Sequence, residues 1–165
     1  MKRSKPRPSK DHLAFMARAI ELSLRSLESG DGGPFGALVV KDGRIIAEGT
    51  NRVTRNNDPT AHAEIVALRR ACKKLRSFQL IGCDIYASCE PCPMCLAALY
   101  WARPARIFYA GTRADAARAG FHDAYIYDQL ALPISRRTLP MTQLMRKQAL
   151  AAFHAWARKP DRKLY

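Results

Sequence analysis

Apolar side chains recur at helical spacing near the start of the chain and indicate its first helix. Between Asp11 and Gly30 they fall three or four residues apart, on one helical face, at Leu13, Met16, Ala17, Ile20, Leu24 and Leu27. Asp11 is a residue type that caps helix N-termini. Pro6 and Pro8 disfavour helix in the preceding residues. The pattern therefore predicts a basic, flexible arm over residues 1–10 and a helix after it.

β-rich and helical runs alternate through the rest of the chain. Two short β-rich runs flank Lys41-Asp42-Gly43-Arg44 and predict a hairpin, because Asp-Gly supplies the positive φ of a tight turn. Strands are predicted over residues 84–88 and 106–110, and helices over residues 61–75, 93–102, 114–119 and 141–159. This order predicts an α/β layered fold with a mixed sheet. Because no repeat or linker divides it, residues 11–165 are predicted to form a single domain.

The net charge of +14 at pH 7 is concentrated at the two ends of the chain. Five basic residues and no acidic one lie in the first ten positions, and the eight basic residues between Arg136 and Lys163 are accompanied only by Asp161. Such charge is compatible with phosphate contacts to a nucleic acid, and equally with a solvated face and a disordered arm. Aromatic residues are not interleaved with the basic runs, so nucleic acid is not the favoured partner.

Cysteine usage and hydropathy bear on the location of the protein. No apolar run approaches the length that spans a bilayer, and the basic first residues lack the apolar stretch of a secretory signal. The five cysteines are an odd number in a chain too large to need disulfides. We therefore predict a cytoplasmic protein with no membrane partner, in which some cysteines belong to a metal site.

Two segments carry the candidate chemistry, residues 60–64 (TAHAE) and 88–95 (SCEPCPMC). Cys92 and Cys95 are three residues apart at a predicted helix start, so their sulfurs face the same side. A helix N-terminus also favours the thiolate form that binds metal. His62, at the start of another predicted helix, supplies a third ligand. One histidine and two cysteines leave the fourth position of Zn²⁺ open for water, which is typical of a catalytic site.

Glu64 is the predicted proton shuttle beside this zinc site. Zinc acidifies its bound water, to a pKa of about 7 in favourable sites, but two thiolates cancel the charge of the ion, so a nearby base is needed. H-x-E followed by P-C-x-x-C is the signature of zinc nucleobase deaminases. Cys89 extends the cysteine pair to C-x-x-C-x-x-C, but an iron–sulfur cluster of the bacterial ferredoxin type would need a fourth cysteine after Cys95.

Further segments match a known family. They are residues 32–37 (GGPFGA), Asn51, residues 58–64 (DPTAHAE), 88–95, 100–104 (YWARP) and 120–127 (GFHDAYIY), and Tyr165. On these residues the chain resembles the cytidine deaminase superfamily and, within it, the small bacterial guanine deaminases. The zinc motifs belong to the whole superfamily, whereas residues 120–127 and the terminal tyrosine point to guanine deaminases.

The resemblance implies a fold, an assembly and a reaction. The fold is a three-layer α/β/α domain with a central five-stranded mixed sheet. The assembly is a homodimer that exchanges C-terminal segments and holds one zinc ion per subunit. The reaction is hydrolysis of a purine base, guanine, to xanthine and ammonia.

The resemblance also implies roles for individual residues. Asn51 would hydrogen-bond the purine, and Phe35 and the ring of His62 would pack against its plane. Asp123 would contact the 2-amino group and assist proton transfer there, and Tyr165 would close the pocket. Family members usually have an acid at both positions before the aromatic stretch, whereas here His122 precedes Asp123. The identity of the second proton shuttle therefore depends on the register of this segment.

Two alternative functions share part of this pattern. A tRNA adenosine deaminase has the same zinc motifs and would account for the charge, but it does not need residues 120–127 or the terminal aromatic. A nucleic-acid-binding protein with an inactive zinc fold would also be basic, but Glu64 is intact. Guanine is therefore the predicted substrate, with tRNA adenosine as the alternative and with other aminopurines and triazines left open.

Overall fold

A computed structural model describes residues 10–164 of the chain. They fall into two compact units, one ending at Ala124 and the other beginning at Tyr125. The predicted flexible arm, apart from Lys10, and the predicted lid residue Tyr165 lie outside the described residues. A single domain over residues 11–165 stays a prediction.

The first unit alternates helices and strands in the order that the sequence predicts. Its elements are α1 (Lys10–Ser29), β1 (Gly36–Lys41), β2 (Arg44–Thr50), α2 (Val53–Asn56), α3 (Ala63–Leu75), β3 (Cys83–Cys89), α4 (Pro93–Ala102), β4 (Arg106–Gly111) and α5 (Arg113–Arg118). Only the four-residue α2 lacks a counterpart in the sequence-based prediction.

The strands form one mixed sheet in the order β2-β1-β3-β4. β1 pairs antiparallel with both β2 and β3, and β3 pairs parallel with β4. Asp42 and Gly43 turn between β1 and β2 with φ of 49° and 69°. Both the mixed sheet and the Asp-Gly hairpin are therefore confirmed.

The five-stranded sheet implied by the resemblance is wrong for residues 10–164, which form four strands. After β4, the Thr112 side chain accepts a hydrogen bond from the Asp115 backbone N–H, and the Asp115 carboxylate accepts one from the Thr112 backbone N–H. This capping box starts α5 directly after β4. Residues 137–145 are irregular and pair with no strand of the described chain.

Helices cover both faces of the sheet, because successive side chains of a strand point to opposite sides. On one face, α1 packs against Leu38, Val40 and Tyr86. On the other face, α3 and α4 pack against Ala37 and Val39. The first unit therefore has the predicted three-layer α/β/α arrangement.

Small residues bring α3 close to the sheet. Ala63, Ala67 and Ala71 repeat every four residues along α3 and are at most 1% exposed. Gly49 of β2 lies opposite, and a Cβ atom there would stand 2.1 Å from the carbonyl oxygen of Ala63. This close approach fixes the position of the N-terminus of α3, and with it His62.

The second unit is largely helical. It contains most of α6 (Asp123–Ala131), which crosses the unit boundary, a 3₁₀ turn (Ile134–Arg136) and α7 (Arg146–Arg158). The sequence pattern does not predict α6, and its predicted start of α7 at Met141 is five residues early. Met145 has φ of 51°, a left-handed conformation that a continuous right-handed helix cannot contain. Within residues 10–164, no helix has the length and apolarity to cross a membrane.

Candidate zinc centre and active site

The N-termini of α3 and α4 carry the predicted zinc ligands. His62 is the N-cap of α3 and Cys92 is the N-cap of α4, both with extended backbone. Pro93 fills the first position of α4, where a missing N–H costs nothing, and Cys95 follows one turn from Cys92. Two helix starts therefore present all three side chains to one point.

The spacing of the three ligand atoms fits zinc. Nδ1 of His62 lies 3.5 Å from Sγ of Cys92 and 3.6 Å from Sγ of Cys95, and all three atoms lie within 4.8 Å of one another. Tetrahedral zinc, with bonds of about 2.3 Å to sulfur and about 2.0–2.1 Å to nitrogen, places these two atom types roughly 3.6 Å apart. Two sulfurs and one imidazole nitrogen are also a donor set that zinc prefers.

The other three cysteines lie outside the cluster. Sγ of Cys89 is directed to the carbonyl oxygen of Thr112, at 3.5 Å. Cys83 is fully buried in the core, and Cys72 packs against the same core. A three-cysteine cluster of the C-x-x-C-x-x-C type therefore has no support in the geometry.

The protein groups of the cluster favour a thiolate at Cys92. A hydrogen bond donated by the Cys95 thiol, followed by one from His62, lowers the pKa of Cys92 to about 4. The same bond to Cys92 raises the pKa of Cys95, and burial adds to this effect. The pKa of His62 is raised, first by its hydrogen bond with Cys92. The cluster thus holds the negative charge of Cys92 beside the imidazole of His62, which can bind a metal cation.

Glu64 is a buried carboxyl group at the edge of this cluster. It is only 9% exposed, although it is in the first turn of α3. Burial is the main cause that raises its pKa to about 7, and the charge of Cys92 adds to the rise, while His62 opposes it. Its side chain lines the same cavity as His62 and Cys92. The geometry therefore brings the predicted proton shuttle to the predicted ligands.

A cavity of about 270 Å³ opens onto the cluster. It is lined by six residues that the sequence singles out, namely Phe35, Asn51, His62, Glu64, Cys92 and Asp123. It is also lined by residues that the sequence did not single out, namely Gly33, Val53, Thr54, Glu90 and Phe121. Gly33, Glu90 and Phe121 lie inside the matched segments 32–37, 88–95 and 120–127, and this match was the available signal for them.

Asn51 and Phe35 form part of the wall away from the ligands. Asn51 is 5% exposed, and its side-chain oxygen accepts a hydrogen bond of 3.1 Å from the Val53 backbone N–H. This leaves the amide N–H₂ group available to a molecule in the cavity. The ring of Phe35 meets that of Phe121 edge to face, with centroids 4.8 Å apart. The wall is therefore apolar with one oriented amide.

The register of residues 120–127 places the acid in the cavity. Asp123 is half-buried and lines it, whereas His122 is exposed. Burial is the main cause that raises the pKa of Asp123, and the charge of Cys92 adds to the rise. A second carboxyl group therefore faces the cluster.

Comparison with known proteins agrees with this site. The family model for the cytidine and deoxycytidylate deaminase zinc-binding region matches residues 9–111, which include all three ligands and Glu64. The chain belongs to this zinc-binding deaminase family.

Individual relatives separate into two groups. The deaminase is 52% identical to a guanine deaminase of Bacillus subtilis, over 94% of this chain and 99% of that protein. The crystal structure of that enzyme matches with a TM-score of 0.90, over 93% of this chain and 98% of that one. A tRNA-specific adenosine deaminase of Agrobacterium fabrum is 46% identical over 58% of this chain and 62% of that protein.

A further solved structure extends the comparison. A guanine deaminase from Nitrosomonas europaea is 32% identical, with a TM-score of 0.64, over 74% of this chain and 69% of that one. The chain is therefore similar both to guanine deaminases and to a tRNA-specific adenosine deaminase. The similarity that extends along nearly the full chain is to a guanine deaminase.

Replacing a ligand of the deaminase should release its zinc. Cys92→Ala leaves two protein ligands, so the zinc content of the purified protein, measured by plasma mass spectrometry, should fall from one ion per chain to a small fraction of that. Cys72→Ala is the matched control, because it makes the same change outside the cluster, and it should keep its zinc. One zinc ion per chain in purified Cys92→Ala would contradict the ligand assignment.

Proposed function

We propose that this deaminase hydrolyses guanine to xanthine and ammonia. The observation that carries the proposal is the extent of the similarity to the guanine deaminase of B. subtilis, which reaches 94% of the chain and so includes most of the second unit. The similarity to the tRNA-specific adenosine deaminase of A. fabrum covers only 58% of the chain. Function specific to guanine is expected to depend on residues that only the longer match includes.

The cavity supports a flat, polar base as substrate. A purine is apolar on its faces and carries donors and acceptors on its edge. Phe35 and Phe121 offer aromatic contact to a face, and the Asn51 amide N–H₂ donates to an acceptor on the edge. Because the Asn51 oxygen is already bonded to Val53 N–H, the amide can present its nitrogen in only one orientation.

His62, Cys92 and Cys95 would hold the zinc ion, which supplies an acidified water as the nucleophile. Glu64 takes a proton from the water and delivers it to ring N3 of guanine, as general base and then general acid. The oxygen of this water bonds to C2, and its remaining proton passes to the 2-amino group, so that the C2–N bond breaks, ammonia leaves and the C2=O bond of xanthine forms.

Asp123 is the second candidate for proton transfer in this reaction. Its carboxyl group lines the cavity and has a raised pKa. In this position it contacts the 2-amino group and helps to deliver the second proton to the leaving ammonia.

A homodimer is the assembly that the second unit supports. Its large apolar side chains are exposed to solvent, among them Leu139, Leu144, Met145, Phe153 and Trp156. Exposed large apolar side chains in this number are common where a protein forms an interface. We propose that this segment is exchanged between two copies and that Tyr165 closes the partner's cavity.

A cytoplasmic location belongs to the same proposal. It rests on the cysteine usage, because all five cysteines are free thiols and the proposed zinc site needs reduced sulfur.

Ammonia release from a panel of substrates tests the proposed reaction. Guanine should be the best substrate among guanine, adenine, cytosine, their nucleosides and a tRNA anticodon hairpin, and xanthine should appear in equal amount to ammonia. The Asn51 amide and the aromatic wall fit a free purine base. Faster release from the anticodon hairpin than from guanine would favour the tRNA adenosine deaminase instead.

Glu64→Gln should separate proton transfer from metal binding. The glutamine keeps the size of the side chain and removes its basic group, so kcat for guanine should fall by about 10²–10⁴-fold while zinc stays at one ion per chain. Steady-state kinetics and metal analysis on the same preparation measure both. Undiminished turnover in the zinc-loaded variant would rule out Glu64 as the shuttle.

Removing residues 162–165 should lower turnover and leave the melting temperature nearly unchanged, because none of the described residues 162–164 is buried. Co-expression of a Glu64→Gln chain that keeps its tail with a truncated chain that keeps Glu64 tests exchange between subunits. If the tail acts on its partner, the heterodimer contains one site with both elements, and activity returns. Inactive purified heterodimers would show that the tail does not act in this way.

A further inference from the structure

A second polar cleft lies at the β2 edge of the sheet. It has a volume of about 270 Å³ and is enclosed by α1, β2, α3 and the residue that follows Asn51. We name it the arginine cleft after Arg25, Arg52 and Arg70, which line it together with Glu48. No residue that lines it also lines the cavity at the zinc ligands.

Ion pairs around the arginine cleft leave an excess of positive charge. Both oxygens of Glu48 accept hydrogen bonds of 2.8 Å from Arg18. Glu21 pairs with Arg18 at 2.8 Å and with Arg25 at 2.7 Å. With Arg52 and Arg70, this network has four arginines and two glutamates. The two positive charges that remain are not neutralised within it.

Arg52 is the residue of the cleft that most clearly lacks a partner. Its guanidinium has no hydrogen bond or ion pair within residues 10–164, and its Nε is buried and unsatisfied. Its backbone N–H, in contrast, donates a hydrogen bond of 2.9 Å to the Ala61 carbonyl. A partly buried cation with an unpaired donor is costly, and an anion beside it removes that cost.

Arg70 extends the positive wall from α3. Its Nη1 donates a hydrogen bond of 2.9 Å to the backbone carbonyl of Glu48, which directs the guanidinium to the cleft without neutralising it. Thr50 contributes a hydroxyl group to the same lining, and this hydroxyl has no hydrogen-bond partner in the described part of the chain. Beyond its internal pairs, the cleft therefore offers the donors of Arg52 and Arg70, one hydroxyl group and an excess of positive charge.

We propose that the arginine cleft binds a phosphate dianion, either inorganic phosphate or the terminal phosphate of a mononucleotide. Phosphate and the arginine fork match in geometry and bind through paired charge-assisted hydrogen bonds. A terminal phosphate carries a charge of about −1.5 to −2 near pH 7, which equals the excess charge of the network, whereas a phosphodiester carries about −1. The volume of about 270 Å³ is at the small end of ligand sites, as such a group requires.

Isothermal titration at low ionic strength, where screening is weak, tests this assignment. Inorganic phosphate and adenosine 5′-monophosphate are titrated into the full-length zinc-loaded protein. Saturable binding of one equivalent per chain is expected. Arg52→Gln should weaken it by about tenfold or more, the loss that follows from one charge-assisted hydrogen bond. No binding to the unaltered protein would overturn the proposal.

Two further variants separate this site from the general basic charge of the chain. Arg70→Gln should also weaken phosphate binding, which keeps the test informative if Arg52→Gln does not fold. Lys73→Gln removes one charge from the same helix at an exposed position outside the cleft, and its affinity should stay within about twofold of the unaltered protein. Equal losses in all three variants would overturn the proposal, because diffuse charge would then explain the binding.

The choice of ligand distinguishes the sources of the phosphate group. If Arg52→Gln lowers the affinity for inorganic phosphate alone, the ligand is the free ion. If it lowers the affinity for both ligands, the cleft also binds the phosphate of a mononucleotide. A short single-stranded RNA without terminal phosphates should bind both proteins equally. If Arg52→Gln lowered the affinity for this RNA as much as the affinity for phosphate, the preference for a dianion would be overturned. Ammonia release from guanine by Arg70→Gln should be unchanged, so this outcome is independent of the proposed reaction.

Discussion

Ala63, Ala67 and Ala71 line the face of α3 that lies on the sheet, and their small side chains let the helix approach β2 more closely than larger ones would. Gly49 completes this contact, since a Cβ atom there would collide with the backbone of α3. The start of α3 is thereby held at the position where α4 also begins. His62 could not meet Cys92 and Cys95 if this packing were looser, so the geometry of the site depends on a contact between small residues.

Two helix N-termini at one point also determine the electrostatics of the site. Their free N–H groups favour negative charge, and the pKa of Cys92 is lowered to about 4 by its hydrogen bonds within the cluster. Glu64 lies in the first turn of α3 but is buried, so its pKa moves the opposite way, to about 7. The helix N-termini, the hydrogen bonds and the burial thus give Cys92 and Glu64 different charge states. A ligand thiolate and a carboxyl group that exchanges protons near neutral pH are the result.

Most of the first unit could be predicted from the chain, because its signals are local. The Asp42-Gly43 turn, the helical face of α1 and the proline that opens α4 each depend on a few neighbouring residues. The missed elements had weaker local signals. The short α2 is four residues long, and α6 has no buried residue within the described chain to produce a periodic pattern. The fifth strand was expected by resemblance alone, and the described residues form four strands.

The sequence by itself determined the types of metal ligand, because the chemistry of a metal dictates its donors and their short-range spacing. It also determined the likeness to a deaminase family and the residues that line one side of the cavity. Only the tertiary structure brought Glu90 and Phe121 into the cavity and placed Asp123, rather than His122, toward the cluster. Only it assembled Arg25, Arg52 and Arg70, which are far apart in the chain and belong to no common motif. Contacts between distant segments depend on how helices and strands pack, and no local pattern of residues encodes them.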